Sequence, residues 1–206
     1  MTLFYLIRHA ESDYNLNHSH LVGGRSSHSP LSETGILQAK KLGMRMKREG
    51  IRIDNWIASS AVRARQTAEI VMSIVDPTAT LIIDETIEEI HQGDWEGKPR
   101  IECYTEECLK QINQDNWNFK APNGESQREV KERMMICIKK WMKKKDDTNA
   151  IFTHGVAIKC VLRGIYNWDP AMTYTTDIHN TSLTELEYKK DVWHVRRIND
   201  YAHLAM

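Results

Sequence analysis

The sequence predicts an α/β fold: three α-β-α layers around a mostly parallel central sheet. Three observations carry that prediction. Short β-prone runs alternate with segments of helical period through most of the chain. The strand candidates are mostly continuous apolar runs, as expected of strands covered on both faces. Cap and turn residues fall between them. No internal repeat or low-complexity linker interrupts the alternation, so residues 1–206 are expected to form one domain.

Residues 2–8 are apolar and β-prone and read as the first strand. Polar residues from Glu11 to Ser29, with Gly23 and Gly24 among them, read as a functional loop. Ser32 is the expected N-cap of a helix through Arg48, with Ile36, Leu37, Ala39, Leu42 and Met46 at helical spacing and Gly50 closing it. Ile53 to Ala58 is the next strand, Ala61 to Ile74 the next helix, and Thr80 to Ile83 a short strand after the Asp76-Pro77 turn. From Glu88 to Gly124 the breaks at Gly93, Gly97, Pro99 and Pro122 leave room for short helices and loops only. A long amphipathic helix is expected from Glu125 to Lys145, a strand at Ala150 to Thr153, and a helix from Val156 to Ile165. Ser182 to Tyr188 and Val192 to Ile198 suggest an antiparallel hairpin through Lys189-Lys190-Asp191.

Composition narrows the function. Lys+Arg and Asp+Glu both number 28, so no basic excess supports nucleic-acid binding. The apolar N-terminal run is too short for a membrane helix and lacks the flanks of a secretory signal, so no membrane association is expected. Cys103, Cys108, Cys137 and Cys160 form no zinc-binding pairs and read as free thiols in a reducing cytoplasm.

Open α/β sheets bind ligands beyond the carboxyl ends of their strands. Three such ends carry Arg8-His9, Thr153-His154-Gly155, and the run from Ser59 through Arg63 to Thr67. Two histidines and at least two arginines are therefore expected at one edge. Arginine offers a planar fork of donors to phosphate oxygens at any working pH. A neutral imidazole can attack phosphorus and carry the phosphoryl group, splitting one displacement into two. The surrounding cations would stabilise transition-state charge, so neither metal nor cofactor is required.

These residues lie in motifs that resemble the histidine phosphatase superfamily, which includes the cofactor-dependent phosphoglycerate mutases. Five blocks occur in order: Leu6 to Ser12 with Asn15; Gly24-Arg25 through Pro30 to Gly35 with Gln38-Ala39; Ser59-Ser60 with Arg63 to Ala68; Ile87 to Glu89 with Gly93 to Gly97; and Thr153-His154-Gly155. The resemblance covers nearly the whole chain and implies a phosphoglycerate mutase-like fold, with the variable segment near 98–124 as a substrate cap. It implies His9 as nucleophile, Arg8, Arg63 and His154 as ligands of the phosphoryl oxygens, and Asn15 as a further hydrogen-bond partner. It places the proton donor and acceptor at Glu89, leaving Glu88 to face solvent. Glu11 is expected at the pocket edge. Gly155 and Val156 would offer backbone N–H groups, and a helix beginning near Ala10 would aim its positive end at the phosphate. Two departures stand out: Ala10 replaces the family glycine, which would be strained if that position needs positive φ, and the loop from Gly24 to Pro30 is one residue longer than the commonest pattern.

Other residues have plainer readings. Arg65 and the lysines Lys139, Lys140 and Lys143 to Lys145 suit solvated helix surface, and Trp95, Met134, Met135 and Met142 suit packing. His18, His20 and His28 read as loop residues, one of which could touch substrate, and His91 as surface or substrate entrance.

Within the family, a modest segment after Gly97 and a chain ending soon after its last strand favour a metal-independent phosphatase of small phosphorylated metabolites. A 2,3-bisphosphoglycerate-dependent mutase is the alternative reading, and a non-catalytic phosphate-binding module the third. Oligomeric state stays open, a homodimer included.

Overall fold

The computed structural model describes residues 1–142 and 146–205. Six strands form one sheet: β1 (Thr2–Arg8), β2 (Asn55–Ala58), β3 (Leu81–Ile83), β4 (Thr148–Thr153), β5 (Leu183–Lys189) and β6 (Val192–Asp200). Their spatial order is β3-β2-β4-β1-β5-β6. Parallel pairs join β3, β2, β4 and β1; β5 is antiparallel to both β1 and β6, so it alone runs against the rest. The late hairpin is thus an antiparallel addition to a mostly parallel sheet, as its two sequence-predicted strands suggest.

Helices cover both faces. On one face, α2 (Glu33–Arg48) and α3 (Val62–Val75) bury Ala39, Leu42, Met46, Ala68 and Val71 against Tyr5, Ile7, Trp56 and Phe152. On the other, α6 (Gln127–Met142) and α7 (Gly155–Tyr166) bury Val130, Met134, Ile138, Ile158 and Val161 against Phe4, Leu6, Ile57 and Ile151. Alternate residues of β1 thus feed opposite cores, which explains its uninterrupted apolar run. Each fully buried large aliphatic contributes about 1.5–3 kcal/mol. Gly43 lets α2 and α3 close together, since a Cβ there would lie 2.9 Å from Ile74.

The region between β1 and α2 is not all loop. Ser12 caps a short helix, α1 (Asp13–Asn17), in a reciprocal arrangement with Asn15. The segment after β3 holds 3₁₀ turns at Glu85–Ile87 and Gly93–Trp95, then α4 (Arg100–Cys103) and α5 (Glu106–Gln114). A further short helix, α8 (Met172–Thr175), follows α7. The long helix α6 begins at Gln127, not Glu125; its expected end at Lys145 and the cluster Lys143 to Lys145 lie outside the described residues. All four cysteines are unbridged. No helix among the described residues is long and apolar enough to cross a membrane.

Candidate active site

Because β4 lies between β1 and β2, the carboxyl ends of these three strands are neighbours. Arg8 pairs with Thr153 and Ala58 with Phe152. The backbone ladder runs one residue further, with His9 N–H donating to Thr153 O (2.9 Å) and Ser59 N–H to Phe152 O (3.0 Å). His9, His154 and Ser59 are therefore set by the sheet rather than by a free loop. The two imidazole centroids are 5.1 Å apart, edge to face, and both rings are buried. Arg63 enters the same space from the first turn of α3 and is also buried.

The hydrogen bonds fix the proton positions. His9 Nδ1 lies 2.7 Å from Ala10 O, and a carbonyl only accepts, so Nδ1 carries the proton and Nε2 holds the lone pair. Arg63 Nε donates to that Nε2 at 3.1 Å. Arg63 Nη2 approaches His154 Nδ1 at 3.2 Å, which makes Nδ1 the acceptor and leaves Nε2–H to donate to Ser59 Oγ (2.9 Å). The remaining Arg63 donors reach Gly24 O, Arg25 O and Ser26 O, so this guanidinium also fastens the longer loop.

Electrostatics keep both rings neutral. Burial, then the charges of Arg63 and Arg8, push the His9 pKa well below the ordinary histidine value, outweighing the Ala10 carbonyl that raises it. Burial and Arg63 likewise push His154 well down. Arg8 and Arg63 are themselves lowered by burial, an effect Glu89 opposes, and guanidinium keeps its charge through such shifts. Arg8 Nη1 donates to Ile178 O at 2.6 Å, while its buried Nε meets no acceptor among the described residues.

Glu89 lines a cavity of about 340 Å³ together with Arg8, His9, Asn15, Arg63 and Val156. Its carboxylate accepts from Ile90 N (3.0 Å), Ala157 N (3.1 Å) and Val156 N (3.2 Å), which ties it to the start of α7. Its backbone is held too: Arg133 donates to the carbonyls of Thr86, Glu88 and Glu89 while pairing with Glu125. Thr153 Oγ1 adds a bond to Ile87 O at 2.6 Å.

Several expected positions differ. Glu88 does not face solvent; it pairs with Arg25 at 3.1 Å and accepts from Ser60 Oγ, outside the cavity lining. Glu11 turns away from the pocket, accepting from Ser32 Oγ (2.7 Å) at the cap of α2. The cap hydroxyl supplies a donor to this carboxylate, and the backbone is packed closely there, since a Cβ on Gly35 would lie 2.0 Å from Glu11 O. The Val156 N–H is engaged by Glu89 rather than offered to a ligand, and Gly155 packs beside the Arg8 side chain without lining the cavity. The short helix starts at Asp13, not near Ala10. Its first N–H groups go to Pro30 O, Ser29 Oγ and Ser12 Oγ, so its positive end is already satisfied. Ala10 has no positive φ, and its N–H donates to Thr67 Oγ1 (3.0 Å), so alanine fits there. Of the loop histidines, His18 lines the cavity; His20, His28 and His91 do not. Arg65 is exposed, and Trp95 packs on Tyr104 and Phe119.

Apart from Ser59, the other participants gave no periodic or motif signal. Asn180 Nδ2 donates to His9 O (2.9 Å) and Thr181 N to Arg8 O (3.0 Å), bracing the end of β1 from a segment some 170 residues away. The Ser59 hydroxyl orients His154, and the Arg133–Glu125 pair anchors Glu89. Only the Ser59-Ser60 motif pointed to any of them.

The family model of the histidine phosphatase superfamily (branch 1) matches residues 4–201. Proteins named probable phosphoglycerate mutase GpmB from Yersinia pestis and Yersinia pseudotuberculosis are 28% identical, across 100% of this chain and 96% of theirs. Among solved structures, Bacillus stearothermophilus YhfR superposes with a TM-score of 0.85 at 28% identity, covering 99% of this chain and 100% of that one. The phosphoserine phosphatase of Entamoeba histolytica, in complex with 3-phosphoglyceric acid, gives 0.85 at 23% identity over 99% and 100% of the two chains, a likeness of fold. With the match running from the first strand past the last, and paired histidines and arginines at the sheet's carboxyl edge, this chain is an enzyme belonging to the histidine phosphatase superfamily.

Proposed function

We propose that the chain is a metal-independent phosphatase that hydrolyses small phosphomonoesters through a phosphohistidine on His9. The observation that carries this reading is a neutral His9 whose Nε2 accepts from Arg63, with Arg8, Arg63 and Glu89 lining the same cavity. His154, expected to bind the phosphoryl oxygens directly, is fully buried outside that lining and acts on it through its hydrogen bond with Arg63. In the first step His9 Nε2 bonds to phosphorus and the ester P–O bond breaks. Glu89 passes a proton to the leaving oxygen, releasing the alcohol. In the second, Glu89 takes a proton from water, whose oxygen bonds to phosphorus as the N–P bond breaks, giving inorganic phosphate and free His9.

Arg63 couples binding to attack. Its Nε–H rests on the nucleophilic nitrogen, so a phosphoryl oxygen that accepts this donor frees the lone pair. Arg8 Nε supplies a second donor with no competing acceptor among the described residues. Asn15 lines the mouth of the same cavity.

Hydrolysis, rather than return of the phosphoryl group to a substrate, suits a cavity whose lining includes the exposed residues Asn15, His18 and Arg100. The phosphatase names of the solved neighbours agree with it. The mutase reading draws on the curated GpmB relatives. Phosphorus NMR of chelator-treated enzyme separates the two. Stoichiometric inorganic phosphate from a panel of small phosphomonoesters is expected; exchange of 2- and 3-phosphoglycerate without phosphate release would establish the mutase.

A further inference from the structure

The phosphoryl cavity has a neighbour. A second compartment of about 650 Å³ adjoins it, and Ile90, Gln92, Arg100, Tyr104 and Val156 line both. That volume falls in the range of about 300–1,000 Å³ typical of sites for drug-sized ligands. Its lining is mainly apolar and aromatic, with Gln92, Asn113, Asn116, Gln127 and Thr173 as polar members; Asn116 and Gln127 are already bonded to Arg163. Trp95 sits edge-on to Tyr104 at 5.3 Å and tilted against Phe119 at 5.8 Å, with Ile112 beside them. Arg100 lays its guanidinium over the Tyr104 ring at 4.9 Å. The carboxylate in this lining, Glu125, is already held by Arg133 and the His91 N–H, so it presents no uncompensated charge.

The mouth is apolar as well. Ile101 is 86% exposed, Tyr174 56% and Leu109 43%, and all three line the compartment. Exposed large apolar side chains grouped on one hollow mark a place where something apolar is covered.

We propose that this compartment is the leaving-group subsite and selects phosphomonoesters whose alcohol carries a broad, ring-containing apolar body. The inference rests on the phosphatase reading above. The shared lining identifies the occupant, because an ester bonded at His9 with its alcohol oxygen near Glu89 turns its carbon body toward Ile90, Tyr104 and Val156, which the two compartments have in common. A short polar ester such as phosphoserine would fill the phosphoryl cavity and leave the aromatic walls in water.

The test holds phosphorus chemistry constant. Ethyl phosphate and 2-(2-naphthyl)ethyl phosphate both release primary alcohols of similar acidity, so their kcat/KM ratio reads the subsite. The naphthyl ester is expected to be favoured by about 100-fold, from burial of one bicyclic ring system. Ile101→Ser with Leu109→Ser, both at solvent-exposed positions that the fold tolerates, is expected to lower that ratio about tenfold, mainly through KM. Equal kcat/KM for the two esters, with phosphate released from ethyl phosphate through His9, would overturn this inference alone. An unchanged ratio in the double variant would overturn it too, as would a double variant that turns a dimer into monomers with the ratio intact, since the hollow would then be an interface. Release of phosphate from neither ester would overturn the phosphatase reading with it.

Discussion

Arg133→Ala isolates the device that holds the proposed proton donor. Arg133 spans from Glu125 to the carbonyls of Thr86 (3.1 Å), Glu88 (2.6 Å) and Glu89 (2.9 Å), and its side chain is 14% exposed against 19% for Glu125. Removing it strips three carbonyls of a charged donor and leaves Glu125 half-paired. Burial alone would raise the Glu125 pKa; the Arg133 hydrogen bonds, the His91 N–H and the Arg25 charge reverse that and hold it below the ordinary carboxylate value. The loss is expected at about 3–5 kcal/mol, the cost of breaking a largely buried ion pair. The contacts overlap, so it is not their sum. Because this stabilisation belongs to a carboxylate with a depressed pKa, it is present above the unfolded carboxyl pKa and fades as pH falls through the folded value. Urea unfolding at pH 7 and pH 4 should therefore show a smaller gap between wild type and variant in acid. Turnover should fall about 10–100-fold, because Glu89 is displaced by a fraction of an ångström while its anchor on α7 remains. The fall should be larger for alkyl phosphates than for p-nitrophenyl phosphate, whose leaving group needs no proton. Full turnover of alkyl phosphates in a destabilised variant would refute the positioning role. A stability loss under about 1 kcal/mol would refute the energetics.

Three further outcomes follow from particular contacts. Glu89→Gln should lower alkyl phosphate turnover by about 100-fold or more while sparing phosphorylation by p-nitrophenyl phosphate; Glu88→Gln, which alters a carboxylate bonded to Arg25 and Ser60, should stay within about tenfold of wild type, as pre-steady-state bursts would show. His203 is buried against Thr181, and burial with the Arg45 charge pushes its pKa down to about 4. A histidine kept neutral by folding stabilises most above its unfolded pKa near 6.5 and loses this as pH falls from there toward 4. His203→Gln should thus remove about 2 kcal/mol of acid sensitivity, measured as the change in unfolding free energy between pH 7 and pH 4. Gly35→Ala would set a methyl against Glu11 O and should cost about 1–3 kcal/mol of overpacking, partly offset by about 1 kcal/mol of helix propensity; thermal unfolding would detect the net loss.

Most of the sheet and the anion-facing residues could be read from the chain because both depend on local pattern. Apolar runs marked β1, β2 and β4, and the residues next after β1 and β4, His9 and His154, needed only the rule that ligands sit beyond carboxyl ends. The choice of Arg63 over Arg65 came from the resemblance to the family motif. What escaped depends on contacts between distant segments. Val156 at a helix start looked like a free donor, but the Glu89 carboxylate, 67 residues away in the chain, occupies it. Glu11 looked like pocket lining, but its carboxylate accepts from the Ser32 hydroxyl at the cap of α2. The short helix α1 was hidden in polar residues, since its cap is a reciprocal Ser12–Asn15 pairing with no apolar face to give it a period. Arg133 sat within an amphipathic helix pattern with nothing to distinguish it from a surface charge.

Rapid quench of the enzyme with a ³²P-labelled phosphomonoester, in chelator, tests the central claim most directly. The account predicts a label that is acid-labile and alkali-stable, maps by mass spectrometry to the imidazole of His9, and is lost with turnover in His9→Ala. Label on another residue, or undiminished turnover in His9→Ala, would contradict it.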